Sequence, residues 1–206
     1  MTTAFTPETL TALTLFAFAA SITPGPNNTM LMASGANFGL RASLPHMWGV
    51  TAGFIGLLLL CGLGLAGVFA AFPVLHAALK WGGSAYLLWL AWKIGSASGI
   101  GVKAARARPM TFLGAVAFQV VNPKGWAMAL GAVSTYVPAP GFLANLALTL
   151  EIFAGISVVT VFVWTAFGLG VRRFLARPLA LRVFNMAMAL LLVASLWPLF
   201  AELGGS

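Results

Sequence analysis

Six long apolar runs, joined by short connections, leave this chain few folds to adopt. A helix needs about 20 apolar residues to cross the hydrocarbon core of a bilayer. Runs of that order fall at roughly 8–36, 44–70, 73–95, 110–136, 142–171 and 181–202. Gly39, Pro73, the Gly95–Pro109 stretch, Pro138-Ala139-Pro140-Gly141 and Pro178 punctuate them. No gap has the length of an extramembrane domain. The pattern predicts an all-α polytopic membrane protein with six transmembrane helices, forming one transmembrane domain over residues 1–206.

Composition closes the alternatives. Hydrophobic residues make up 61% of the 206 and charged residues 7%, and Glu8, Glu151 and Glu202 are the three acids. So few charges cannot cover a surface facing water. A soluble enzyme, a disordered tail and a nucleic-acid-binding domain are excluded. The net charge of +8 follows membrane topology instead. Arg41 follows the first run. Lys93, Lys103, Arg106 and Arg108 follow the third, and Arg172, Arg173, Arg177 and Arg182 the fifth. The other loops and both termini carry no Lys or Arg. The positive-inside rule then puts the basic loops in the cytoplasm and both termini outside. No basic segment precedes the first run, so that run is expected to be a retained span rather than a cleaved signal.

The first run is interrupted at Thr23-Pro24-Gly25-Pro26-Asn27-Asn28. Each proline removes a backbone donor and clashes with the preceding turn, and it pushes the residue before it out of helical geometry. Two half-helices, about 8–22 and 26–37, are expected. The fourth run is interrupted at Asn122-Pro123-Lys124-Gly125. There Asn reads as an N-cap and Pro as the first helical residue, which divides the run at about 110–121 and 123–136. Each three-span half (about 1–105 and 106–206) thus opens on a broken span, the layout of a 3+3 inverted-topology repeat with its site where the breaks meet.

Such breaks expose backbone donors at half-helix N-termini and acceptors at C-termini. In lipid these are tolerated only where protein or a water-filled cavity covers them. Lys124 falls within a span and in the first turn of a half-helix, where the helix dipole opposes a cation. One reading is an anion site for a substrate carboxylate, or a switchable proton site. The other is a lysine that snorkels or pairs permanently with an internal acid, for which Glu151 is the candidate. Asn27 and Asn28 either ligate a substrate ammonium or satisfy the broken backbone. Gln119, one turn before the second break, is a further candidate, and Thr23 reads as a local backbone partner. His46 either titrates or lies at the interface. Cys61 alone supports neither a disulfide nor a Cys-rich metal site. Most of the seven tryptophans fall near span ends, as in an interfacial belt, and the alternative for some of them is to line a cavity. Gly35/Gly39 and Gly49/Gly53 have small-xxx-small spacing, which suits helix packing within the chain and leaves a homo-oligomer open.

These motifs resemble the LysE/RhtB family of bacterial amino-acid exporters. The resemblance rests on Thr23-Pro24-Gly25-Pro26-Asn27, on Gly39-Leu40-Arg41 with Gly49 and Gly53, and on Gln119 with Asn122-Pro123-Lys124. It spans essentially the whole chain. Ser43 and His46 depart from the family's usual pattern. The resemblance implies efflux of amino acids or related small zwitterions across the bacterial cytoplasmic membrane, coupled to proton motive force. It also implies a transport core of Pro24, Gly25, Pro26, Asn27, Asn122, Pro123 and Lys124. No cofactor, metal or catalytic residue is expected. Transport of inorganic ions or other small solutes is the competing function, although His46, His76 and three scattered Glu form no ligand cluster.

Overall fold

The computed structural model describes residues 5–65, 74, 81–82, 85, 88–89, 91–92, 95–96, 108–137, 141–171 and 177–194. Most of the third run lies outside the described residues. So do Lys80, His76, Lys93, Lys103, Arg106, Arg172, Arg173, the Pro138–Pro140 loop, Trp197, Pro198 and Glu202.

Seven α-helices have both ends among the described residues: α1 Pro7–Ile22, α2 Pro26–Phe38, α3 Leu40–Leu60, α4 Phe112–Val121, α5 Pro123–Tyr136, α6 Phe142–Val171 and α7 Pro178–Ala194. α1 starts where local chemistry dictates. The Thr6 side chain accepts from Thr9 N, Pro7 takes a first-turn position and Glu8 sits in the first turn. Thr111 caps α4 in the same way, accepting from Gly114 N.

Both interruptions fall where proline placed them. α1 ends at Ile22 and α2 begins at Pro26, while α4 and α5 meet at Asn122. At 16, 13, 10 and 14 residues these helices are each shorter than a bilayer core. Leu40–Gly64 and Phe142–Val171 are long and apolar enough to cross one.

Two expected boundaries move. α3 starts at Leu40 rather than 44 and carries Pro45 inside it. Gly39, at φ 82° and ψ 173°, turns the chain sharply between α2 and α3 so that the new helix begins at once. A side chain would be strained in that conformation. α7 begins at Pro178, not 181.

Helix contacts depend on missing side chains. A Cβ on Gly35 would run into the Thr165 carbonyl, and one on Gly168 into the Met32 carbonyl, so α2 and α6 touch backbone to backbone. Gly49 and Gly53 let α3 lie directly on α4, against Phe112, Ala115, Val116 and Gln119. Gly49/Gly53 therefore acts within the chain. Two apolar clusters result. One joins Leu13, Ala17, Phe54, Leu57, Ala129 and Phe153. The other joins Leu31, Met47, Val50, Ala115 and Val161. The outer surface is apolar too, with Leu15, Leu113, Leu143, Phe167 and Leu190 exposed, as suits a lipid-facing exterior.

Candidate functional site

The two interruptions meet. The end of α1 leaves a row of carbonyls without helical partners, and residues from across the molecule satisfy them one by one. Ala20 O accepts from Thr23 Oγ1 at 3.0 Å. Ser21 O and Thr23 O accept from Asn28 Nδ2 at 2.7 and 2.8 Å. Ile22 O accepts from the Trp164 indole at 3.1 Å. Lys124 Nζ, brought from the second interruption, donates to Thr23 O at 2.7 Å, to Thr23 Oγ1 at 3.0 Å and to Pro24 O at 3.4 Å. Asn28 thus serves the broken backbone, and Thr23 is the local partner the sequence suggested. Trp164 is half-buried against this break.

Lys124 takes a different dipole from the one its position suggests. It is the second residue of α5, yet its ammonium reaches the C-terminal end of α1, where partial negative charge favours a cation. Gly25 makes the reach possible, since a Cβ there would sit 2.6 Å from Lys124 Cδ. Glu151 is exposed on α6, and the hydrogen bonds of Lys124 go to the first interruption.

A second bridge joins the breaks. Asn27 Nδ2 donates to Gln119 Oε1 at 2.8 Å, and Gln119 Nε2 donates back to Asn27 Oδ1 at 3.1 Å. Gln119 Nε2 also donates to Ala115 O at 2.9 Å. Because that carbonyl can only accept, it fixes which way the Gln119 amide faces. Gln119 Oε1 then receives Asn122 Nδ2 at 3.4 Å. Asn122 occupies the N-cap position of α5 but makes no side-chain capping bond. Its amide is turned to Gln119 instead. Asn122 is 2% exposed, and its Oδ1 has no partner.

Between the interruptions and the two apolar clusters lies a cavity of about 440 Å³, counted with its open mouth. Gly25, Asn27, Asn28, Asn122, Lys124 and Gly125 line one side. Val50, Phe54, Ser157, Thr160 and Val161 line another. An apolar lining with a few convergent polar groups is the usual character of ligand sites. An ammonium, an unpartnered amide oxygen and hydroxyls can together hold a small molecule carrying both charges.

Of the sequence candidates, Gly25, Asn27, Asn28, Asn122 and Lys124 line this cavity. Gln119 orients two of them from behind. Pro24 and Pro26 shape the first break, and Pro24 also supplies a carbonyl to Lys124. Pro123 opens α5 and is exposed. His46 is not interfacial, being 2% exposed with both ring nitrogens unpartnered. Ser43, the other departure, bonds Ser34 Oγ at 2.8 Å and Gly39 O at 2.8 Å. The α6 wall escaped the sequence reading. Its signal was present as small polar residues at helical spacing within an apolar run: Asn145, Thr149, Ser157, Thr160 and Thr165 are all buried.

The family described as LysE type translocator matches residues 18–195. Similar curated proteins include the cysteine/O-acetylserine efflux proteins of Escherichia coli K12, Shigella sonnei Ss046 and Shigella flexneri. Each is 35% identical over 136 residues, which is 64% of this chain and 67% of the relative. No solved structure matches. With a broken-helix core at the motif residues and a family match over most of its length, the chain belongs to the LysE type translocators, membrane transporters rather than enzymes.

Proposed function

We propose that this protein exports amino acids of the cysteine and O-acetylserine type from the cytoplasm through the cavity between the two interruptions. One observation carries the reading: Lys124 spans from the second break to the first, beside that cavity, with carbonyl and hydroxyl oxygens as its partners. A substrate carboxylate is a stronger acceptor for an ammonium than a neutral carbonyl. Its arrival draws Lys124 off Thr23 and Pro24. The Asn122 carbonyl oxygen, turned by Gln119, accepts from the substrate ammonium. Losing the Lys124 bond loosens the seam between the breaks, which lets one half of the chain rock against the other. An inorganic cation suits the cavity less well, because Lys124 repels it.

Six spans in two inverted halves, with both termini outside the cytoplasmic membrane and export coupled to proton motive force, complete the proposal. The basic loops support that orientation. A homo-oligomer belongs to it only if the purified protein runs as more than one chain.

The test is amino-acid efflux from cells loaded with dipeptides, comparing empty vector, the intact chain and Lys124→Met at equal membrane abundance. Faster release of cysteine, O-acetylserine or serine by the intact chain, abolished by Lys124→Met and by a protonophore, is expected. Identical release from all three strains refutes the proposal. Activity that survives the protonophore refutes the coupling alone. A reporter fused after residue 206 should be active only outside the cytoplasm.

A further inference from the structure

Four hydroxyl side chains lie on α6, and three of them have partners. Thr149 and Thr165 donate to the carbonyls of Asn145 and Val161, four residues earlier, at 2.8 and 2.7 Å. Ser157 donates to Thr51 across the α3–α6 contact at 3.1 Å. Thr160 is 3% exposed and its Oγ1 has no partner. It does not fold back on its own helix as Thr149 and Thr165 do. Buried hydroxyls without partners are exceptions that call for an explanation. Thr160 lines the same cavity as Asn122, whose Oδ1 is also unpartnered. Around it the wall is apolar, formed by Val50, Phe54 and Val161.

We infer that Thr160 is a specificity-determining residue, which pairs with a polar atom one bond beyond Cβ in the side chain of a small amino-acid substrate. The inference rests on the reading of this cavity as an amino-acid site and adds which part of the substrate faces α6. Lys124 takes the carboxylate and Asn122 the ammonium, so the side chain is left for the opposite wall. A hydroxyl both donates and accepts. It can donate to an ester oxygen, which only accepts, and it can accept from a thiol or alcohol. Valine would fill the same space but pair with none of these. A site that hydrogen-bonds a substrate heteroatom also rejects the isostere lacking it, since the buried hydroxyl then stays unpaired.

The experiment uses the full chain in proteoliposomes, with uptake of two near-isosteric pairs measured in competition: L-serine against L-alanine, and L-cysteine against L-2-aminobutyrate. The intact protein should favour the polar member of each pair. Thr160→Val should cut that preference about tenfold, through loss of the polar substrate with the apolar one unchanged. Thr160→Ser, which keeps the hydroxyl, should retain it. An unchanged preference in Thr160→Val means that water alone satisfies the hydroxyl, and overturns the assignment. Equal loss of both members assigns Thr160 to packing and also overturns it. If the intact protein moves none of the four amino acids, the amino-acid reading falls and this inference falls with it. If it moves them and only the preference fails to respond, the cavity reading stands and Thr160 alone is excluded.

Discussion

Asn28→Leu tests whether the end of α1 is held by protein rather than by water. Leucine repeats the branching of the asparagine side chain in a larger, apolar form, so the change removes the amide and adds bulk beside the cavity. Two bonds are lost, to Ser21 O and Thr23 O. Their consequences differ. Thr23 O keeps Lys124 as a donor, so it remains satisfied. Among the described residues, Asn28 is the side-chain donor to Ser21 O, and that bond is part-buried. One ordinary hydrogen bond is worth about 1 kcal/mol, and a buried acceptor left unpaired costs about 1–3 kcal/mol. The sum is a loss of about 2–4 kcal/mol. For a chain of this size, each kcal/mol moves Tm by about 2–4 °C, so detergent-solubilised Asn28→Leu should melt roughly 4–16 °C lower. Tryptophan fluorescence or size-exclusion after heating reads this directly. A shift within about 1 °C of the parent would refute the reasoning, because it would mean that water already reaches Ser21 O.

Gly25→Ala places a methyl group against the Lys124 stem and should displace its ammonium from Thr23, lowering efflux roughly tenfold at unchanged membrane abundance. Glu151→Gln alters an exposed side chain outside the Lys124 contacts, so efflux should stay within about twofold of the parent. Gly168→Leu drives a side chain into the Met32 carbonyl, where overpacking costs about 1–3 kcal/mol or more; little monodisperse protein should be recovered after extraction.

Local chemistry was the legible part of this chain. Proline acts on its own neighbours, so Pro24, Pro26 and Pro123 mark where α1 ends and where α2 and α5 begin. The start of α3 was not legible in the same way: it begins four residues before the expected run, directly after Gly39, whose positive φ leaves no mark in hydropathy. Pairings across the chain were not legible. Asn27 meets Gln119 over 92 positions and Lys124 meets Thr23 over 101, and no spacing rule encodes either. Lys124 shows the cost most plainly. Judged by its own helix it sits at an unfavourable end, and only the tertiary fold offers it the C-terminus of another. Thr160 was hidden differently: its place in the small polar spacing of α6 is visible in the sequence, but that its hydroxyl lacks a partner shows only in the fold.

The long reach of these pairings also bears on how the protein is made. α1 emerges from the ribosome early, but the distant donors that complete its end are Lys124 and Trp164. While the middle of the chain is being synthesised, the carbonyls at Ile22 and Pro24 lack those partners. Thr23 and Asn28, within seven residues of the carbonyls they serve, are on hand from the start. The insertion machinery must therefore shelter a half-finished first span until the fourth and fifth runs arrive. Truncated nascent chains ending before residue 124 should remain crosslinkable to that machinery at positions 22–24, and chains extending beyond residue 164 should be released. α1 is thus completed only by residues synthesised about a hundred positions or more after it.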